Sequence, residues 1–303
     1  MSLRVAICIT THNRRAELDR TLAQIAALAP QPDEIVIVAD GCTDGTAEFV
    51  RERRPDARLI IHEQGCGSIP SRNEMAHATT CEIFLSLDDD SHPIEPDAIA
   101  RIRELFEKNA RLAVAAFPQR TDEYPETLTA ADFGSAKFVG SYANSAAAIR
   151  ASIFKTLGGY PDFFFHAYEE PDFALRCVNA GWQVRFEPCV TVRHHFTPAQ
   201  RNEIRTHQRH ARNELWSVLL RCPMPQLFAV APFRVWRQFL YACKRGWPWV
   251  WREPRWWWQC LGGLSRCLRE RRTLTWSRYR AWMQLVRAPI ENAADWEAKF
   301  GTQ

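Results

Sequence analysis

A chain of 303 residues with 46% apolar and 24% charged side chains can bury a substantial core, which excludes a disordered polyelectrolyte and a small disulfide-stapled scaffold. Its formal charge of +4 is unevenly spread: the first 190 or so residues carry most of the acids, and the remainder is rich in Arg and Trp, so a catalytic front half and a basic rear half are expected. No apolar run reaches the roughly 18 to 20 residues that span a bilayer, and the 10 cysteines, scattered without a Cys-x-x-Cys pair, read as buried free thiols. Met1-Ser2-Leu3-Arg4-Val5 enters a strand directly, without the features of a signal peptide, so a cytoplasmic protein is expected.

The front half alternates short apolar runs with helical patterns. Val5 to Ile9 predicts a strand and Glu17 to Leu28 a helix stopped by Pro30 and Pro32. Glu34 to Ala39 is the second strand, 40–45 a turn, Thr46 to Arg53 a helix and Leu59 to His62 the third strand. Arg72 to Ala78 reads as helical, and Ile83 to Leu87 as a fourth strand that ends in Asp88-Asp89-Asp90. Such continuous apolar strands with helical crossovers predict an α/β fold, a Rossmann-like open, mostly parallel sheet flanked by helices. Ligands bind such sheets beyond the carboxyl ends of the strands, where Thr11, Asp40 and Asp88 fall. Three adjacent carboxylates repel one another unless a cation sits among them, and a divalent metal carrying a phosphate fits that requirement.

Beyond a helix over Pro96 to Asn109 and a strand over Leu112 to Phe117, residues 119–145 read as a polar loop region on the acceptor side. Ala146 to Ile149 reads as a strand, Ser152 to Leu157 as a short helix, Pro171 to Asn179 as a helix ended by Gly181, and Gln183 to Glu187 as a return to the sheet. The division falls between residues 1–197 and a helical region over 198–303. In Phe233 to Arg245 the polar Arg234, Arg237, Gln238, Lys244 and Arg245 share one side of a helix, and Phe228, Val235, Trp236, Phe239 and Leu240 largely cover the other. Six tryptophans interleaved with Arg follow within 247–258. One reading packs them against the sheet domain or a second subunit as a homodimer contact. Another places the indoles at the headgroup level of the inner membrane face, with arginines on anionic phosphates. Nucleic-acid stacking is a third, disfavoured because the front-half site points elsewhere.

Several motifs in order resemble those of family 2 glycosyltransferases of the GT-A fold, particularly bacterial rhamnosyltransferase-like members, over roughly residues 4–220. They are Ile9-Thr10-Thr11-His12-Asn13-Arg14, Asp40-Gly41-Cys42-Thr43-Asp44-Gly45-Thr46, Ser71-Arg72-Asn73, Asp88-Asp89-Asp90, Leu157-Gly158-Gly159-Tyr160, Glu169-Glu170-Pro171-Asp172, Leu175-Arg176 and His194-His195. The resemblance implies that Asp90 ligates Mn²⁺ or Mg²⁺, that Asp88 contacts the metal or the donor's ribose, and that His194, with His195 as the alternative, supplies a third ligand. It implies that Asp40 accepts from a uracil or thymine N–H and that Thr11, Asn13, Arg14, Asp89 and Arg72 lie around the nucleotide sugar. Asp44 either joins them or caps the next helix, and Arg72 either meets a phosphate or forms an ordinary ion pair.

An acceptor hydroxyl attacking an anomeric carbon must lose its proton. Glu170 is the chosen base, at a position where relatives carry Asp, with Glu169 and Asp172 as further catalytic candidates; Asp172 to Arg176 also reads as an i,i+4 helix pair. The expected protein is an inverting, metal-dependent glycosyltransferase using a UDP- or dTDP-sugar and a glycan or lipid-linked acceptor. A sugar-phosphate nucleotidyltransferase shares the sheet and the metal but needs a Gly-rich basic loop after the first strand, which Thr11-His12-Asn13-Arg14 lacks. A catalytically silent glycan- or partner-binding scaffold is the remaining alternative.

Overall fold

The computed structural model describes residues 2–196 and 202–301. The front half runs β1 (Val5–Thr11), α1 (Arg15–Ala26), β2 (Glu34–Asp40), α2 (Thr46–Arg53), β3 (Arg58–His62), α3 (Ser68–Ala78), β4 (Ile83–Asp88), β5 (Ser91–Pro93), α4 (Ala98–Lys108), β6 (Leu112–Ala116) and β7 (Gln119–Thr121). It continues with β8 (Lys137–Phe138), β9 (Ala147–Arg150), α5 (Ala151–Thr156), α6 (Glu169–Asn179), β10 (Gln183–Phe186) and β11 (Val192–His194). The rear half is helical: α7 (Glu203–Arg221), α8 (Leu227–Arg245), α9 (Trp247–Val250), α10 (Glu253–Arg269), α11 (Trp276–Arg287) and α12 (Ala293–Phe300).

Eight strands form the main sheet in the order β3-β2-β1-β4-β9-β6-β10-β8, parallel except for β9 and β8. Burial on both faces explains why β1, β2 and β4 are continuous apolar runs. One face packs on α1, α2 and α4 through Leu18, Leu22, Val50, Ile102 and Phe106. The other packs on α3, α5 and α6 through Met75, Phe154 and Phe173, and the same apolar cluster runs on into Trp216, Tyr279, Leu285 and Trp296 of the rear helices. The division expected at 197/198 lies outside the described residues, and the core is shared across it.

α3 and α6 begin at Ser68 and Glu169, upstream of the predicted Arg72 and Pro171. In each case a proline, Pro70 or Pro171, sits in the first turn, where its missing N–H forfeits no helical bond. Within 119–145, read as a loop, β7 and β8 add strands to two sheet edges. A small sheet in the order β5-β11-β7 had no counterpart in the sequence reading, because three-residue strands carry too few side chains to show a period.

α8 buries a mixed face, with Leu227 and Ala242 toward its ends and two polar side chains between them. Arg234 and Gln238 are buried against Glu214 of α7, with Arg234 Nη1 to Glu214 Oε1 at 3.0 Å and Gln238 Nε2 to Glu214 Oε2 at 2.5 Å. Phe228, Phe233, Trp236 and Leu240 face outward. The tryptophan-rich segment divides in the same manner: Trp256 is buried and donates to Glu253 Oε2 at 2.8 Å, whereas Trp247, Trp251 and Trp258 are 68%, 75% and 74% exposed.

Candidate active site

Parallel pairing puts the carboxyl ends of β1 to β4 on one edge, with Asp40 opposite His62 and Thr10 opposite Asp88 in register. A cleft of about 380 Å³ opens there, and Thr11, Arg14, Asp40, Asp88 and Asp89 line it. Asn13, Asp44 and Arg72 support its walls instead. Asn13 Oδ1 accepts from Thr43 N at 2.7 Å, joining the β1 and β2 loops. Asp44 accepts from Thr46 N and Arg15 N at 3.2 Å each, holding the heads of α2 and α1 together from the residue before the Gly45 N-cap.

The three carboxylates face different partners. Buried Asp89 accepts from Thr11 Oγ1 at 2.8 Å and pairs with Arg14 Nη1 at 3.1 Å. Burial pushes its carboxyl up to about 7 against the pull of Arg14. Asp90 pairs with Arg14 Nη2 at 2.6 Å and with His194 Nε2 at 3.2 Å. Burial opposes its ionisation, but His194 and Arg14 prevail and hold it well below the usual carboxylate range. Asp88 pairs with Arg72, whose Nη1 also donates to Ser86 Oγ at 3.0 Å.

Asp88, Asp90 and His194 offer ligand atoms that all lie within 4.8 Å of one another. The small sheet makes this meeting: β11 pairs with β5 so that His194 lies opposite Ser91, and His195 N donates to Asp90 O at 2.8 Å. His195 turns its ring away onto His92, with centroids 5.3 Å apart. Of the two adjacent histidines, His194 therefore belongs to the cluster. Two carboxylates and an imidazole suit a divalent cation of the Mn²⁺ or Mg²⁺ type, with the nitrogen favouring the former.

At the head of α6, Glu169 is buried and accepts from Asn144 Nδ2 at 3.0 Å; Asn144 Oδ1 accepts from Tyr160 OH at 2.7 Å, and Tyr160 OH meets Tyr142 OH at 2.8 Å. Glu170 accepts from Asn144 N at 3.4 Å. Burial, then the charge of Glu169, pushes its carboxyl up to about 8. Asp172 is occupied elsewhere. Its oxygens accept from Ser217 Oγ and Arg221 Nε at 2.9 Å each and from Arg176 Nε at 2.9 Å. This fully buried carboxylate, read as a catalytic candidate or an i,i+4 helix partner, makes the Arg176 pair and also tethers α6 to α7.

Phe165, Ala167 and Tyr168, just before Glu169, adopt positive φ of 67°, 73° and 69°, a costly geometry for side chains of their size. Asn213 of α7 holds them there, its Nδ2 lying 3.1, 2.8 and 2.7 Å from the carbonyls of Phe164, His166 and Ala167. Asn213, Asn144 and Ser68, which meets His166 Nδ1 at 2.8 Å, were not found by the sequence reading. Nor were Arg205 and Arg209, cleft-lining cations from α7. The Gly-Gly-Tyr and Arg-Asn motifs prove to be one joint: Asn73 Oδ1 accepts from Tyr160 N at 2.8 Å, and Nδ2 donates to Tyr160 O at 2.9 Å.

A Rossmann-like, mostly parallel sheet with acids and a histidine converging at its carboxyl edge, beside a cleft lined by both Asp and Arg, is the architecture of the GT-A fold. Residues 6–159 match Glycosyl transferase family 2, and residues 83–258 match Glycosyl transferase family group 2. The chain belongs to glycosyl transferase family 2. It is 24% identical over 218 residues to the O-antigen chain rhamnosyltransferase RfbN of Salmonella typhimurium, covering 65% of this chain and 69% of that protein. To the O-antigen chain rhamnosyltransferase WbaN of Salmonella anatum it is 25% identical over 189 residues, covering 56% and 59%. Its fold is similar to that of GalNAc-T7 with UDP, GalNAc and Mn²⁺, with a TM-score of 0.60 at 14% identity over 80% of this chain, which spans about half (51%) of that one. It is also similar to the mannosyltransferase PcManGT of Pyrobaculum calidifontis with GDP-Man and Mn²⁺, with a TM-score of 0.57 at 19% identity, covering 95% and 85%. Among the described residues no helix is long and apolar enough to cross a membrane.

Proposed function

We propose that this protein is an inverting, metal-dependent glycosyltransferase that moves a sugar from a UDP- or dTDP-sugar to a hydroxyl of a glycan or glycolipid. The observation that carries this reading is the convergence of Asp88, Asp90 and His194 at the mouth of a cleft lined by Arg14, Arg205 and Arg209. Asp88, Asp90 and His194 would hold a divalent cation, which when bound would supply positive charge against the diphosphate leaving group. The arginines attract and orient the same diphosphate, and Asp40 faces the base at the far end. The acceptor oxygen forms its bond to the anomeric carbon on the side opposite the breaking bond to the diphosphate, and Glu170 takes the hydroxyl proton. Its raised pKa suits a base that must hold that proton near neutral pH. The two rhamnosyltransferase relatives favour a rhamnosyl donor and a cell-surface polysaccharide as product. A panel of UDP- and dTDP-sugars with Mn²⁺ is expected to contain at least one that is slowly hydrolysed and that raises Tm by mass action. Turnover of none, with no shift in Tm by any, favours a silent scaffold, and nucleotide-triphosphate formation favours a nucleotidyltransferase.

The rear helices suit attachment to an anionic lipid surface near a lipid-linked acceptor. α8 leaves Phe228, Phe233, Trp236 and Leu240 outward, and the segment from Met224 to Arg269 carries eight Lys and Arg against one acid, Glu253, which is buried with His207 and Trp256. An apolar face rimmed by cations matches a headgroup boundary. The intact protein is expected to float with phosphatidylglycerol vesicles, less so at high salt, and joint Trp247→Ala, Trp251→Ala and Trp258→Ala substitution is expected to abolish flotation. Failure of the unsubstituted protein to float, with a doubled mass by light scattering, assigns the face to a second copy instead.

A further inference from the structure

A second group of ligating side chains lies at the base end of the cleft: Asp40 at the end of β2, His62 at the end of β3 and Cys66 in the loop before α3. Cys66 Sγ lies 3.1 Å from His62 Nδ1 and 3.2 Å from Asp40 Oδ1, and those two atoms lie 2.8 Å apart. The loop is brought there by Gly41, whose φ is 64° and whose missing side chain leaves room for the Gly65 backbone.

The far side of the imidazole gives the second, independent observation. His62 Nε2 meets Glu74 Oε2 at 2.6 Å. With Nε2–H donating to Glu74, a neutral imidazole aims the Nδ1 lone pair at the Asp40 oxygen and the Cys66 sulfur. The thiol proton of Cys66, directed at Asp40, and a proton on Nδ1 bridge these contacts without metal; once both protons leave, a thiolate, an imidazole nitrogen and a carboxylate oxygen converge on one point, the donor set of a cation site. A carboxylate behind a histidine, orienting its other nitrogen, is the arrangement that supports metal-bound imidazoles.

We propose that Asp40, His62 and Cys66 form a site for a thiophilic divalent cation of the zinc class, distinct from the Asp88–Asp90–His194 group, and that this cation and the nucleoside diphosphate donor exclude one another. Sulfur separates the two sites chemically, because a thiolate selects zinc-like ions over Mg²⁺ or Mn²⁺. Typical zinc bond lengths place tetrahedral donors about 3.3 to 3.6 Å apart, so the observed triangle has to open by only a few tenths of an ångström. Binding releases the Cys66 thiol proton, and the Nδ1 proton where present, to solvent. Gly67 N continues to hold Asp40 Oδ2, now 2.9 Å away. The exclusion rests on the donor reading above: Asp40 lines the cleft, and once its charge is spent on the cation it no longer serves the donor's base.

Cobalt(II) tests this, since thiolate-bound cobalt absorbs in the near-ultraviolet. The full chain is expected to bind one Co²⁺ with that band, displaced by Zn²⁺. Cys66→Ser is expected to lose the band, while Cys243→Ser, at an exposed cysteine, keeps it. Glu74→Gln is expected to weaken binding by about 10–100-fold. Absence of the band, or its survival in Cys66→Ser, overturns the site. UDP or dTDP added without Mn²⁺ is expected to bleach the band; a band unchanged at saturating nucleotide overturns the exclusion, while the donor reading is judged separately by turnover of Asp90→Ala.

Discussion

Asp90→Ala is expected to lower sugar transfer by about 10²–10³-fold or more, the scale seen when one electrostatic stabiliser of a developing charge is removed. The effect is large because Asp90 is the carboxylate on which the site converges: His194 and Arg14 keep it ionised despite burial. The substitution also leaves Arg14 with Asp89 as its remaining ion-pair partner at the site. Chelation of divalent metal is expected to match the mutation in the unsubstituted enzyme and to change little in the variant. Donor hydrolysis with and without Mn²⁺ measures both, and undiminished turnover by Asp90→Ala sinks the proposed function. His194→Ala is expected to weaken Mn²⁺ dependence far more than His195→Ala, whose ring stacks on His92.

Glu170→Gln is expected to cost about 10²–10⁴-fold in turnover, the usual contribution of a positioned base, with donor binding retained. In the unsubstituted enzyme the rate is expected to rise with pH as this carboxyl ionises, through about 8 and not near the ordinary 4.5. Stability moves the other way. A folded pKa raised above the unfolded value means the folded state holds the proton more tightly, so this contribution is intact below about 4.5 and is lost as pH rises toward about 8. Glu170→Gln removes that loss and is expected to raise Tm relative to the unsubstituted protein at pH 9 but not at pH 4. Transfer that survives Glu170→Gln and disappears in Glu169→Gln moves the base to Glu169, whose bond to Asn144 otherwise marks it as the residue that holds the loop.

The alternation of strands and helices was legible because burial on both faces demands unbroken apolar runs in β1, β2 and β4. The place of the acids was legible too, since parallel strands must end on a common edge. Boundaries slipped at α3 and α6, where a first-turn proline mimics a break. The chemistry at Asp172 was not legible. An i,i+4 partner was visible at Arg176, but Ser217 and Arg221 lie more than forty residues away and meet it only when α7 docks.

Patterned local chemistry was set by the sequence alone: the sheet, the edge that carries the site, the acid cluster and the order of the motifs all follow from residues close together in the chain. Tertiary structure decided what depends on distant partners. It selected His194 over His195 through the pairing of β11 with β5, turned the apolar side of α8 outward because Glu214 holds the polar side, and carried Arg205 and Arg209 from the rear helices into the cleft. The physical reason is that periodicity reports which residues share a face, while docking alone reports what that face meets.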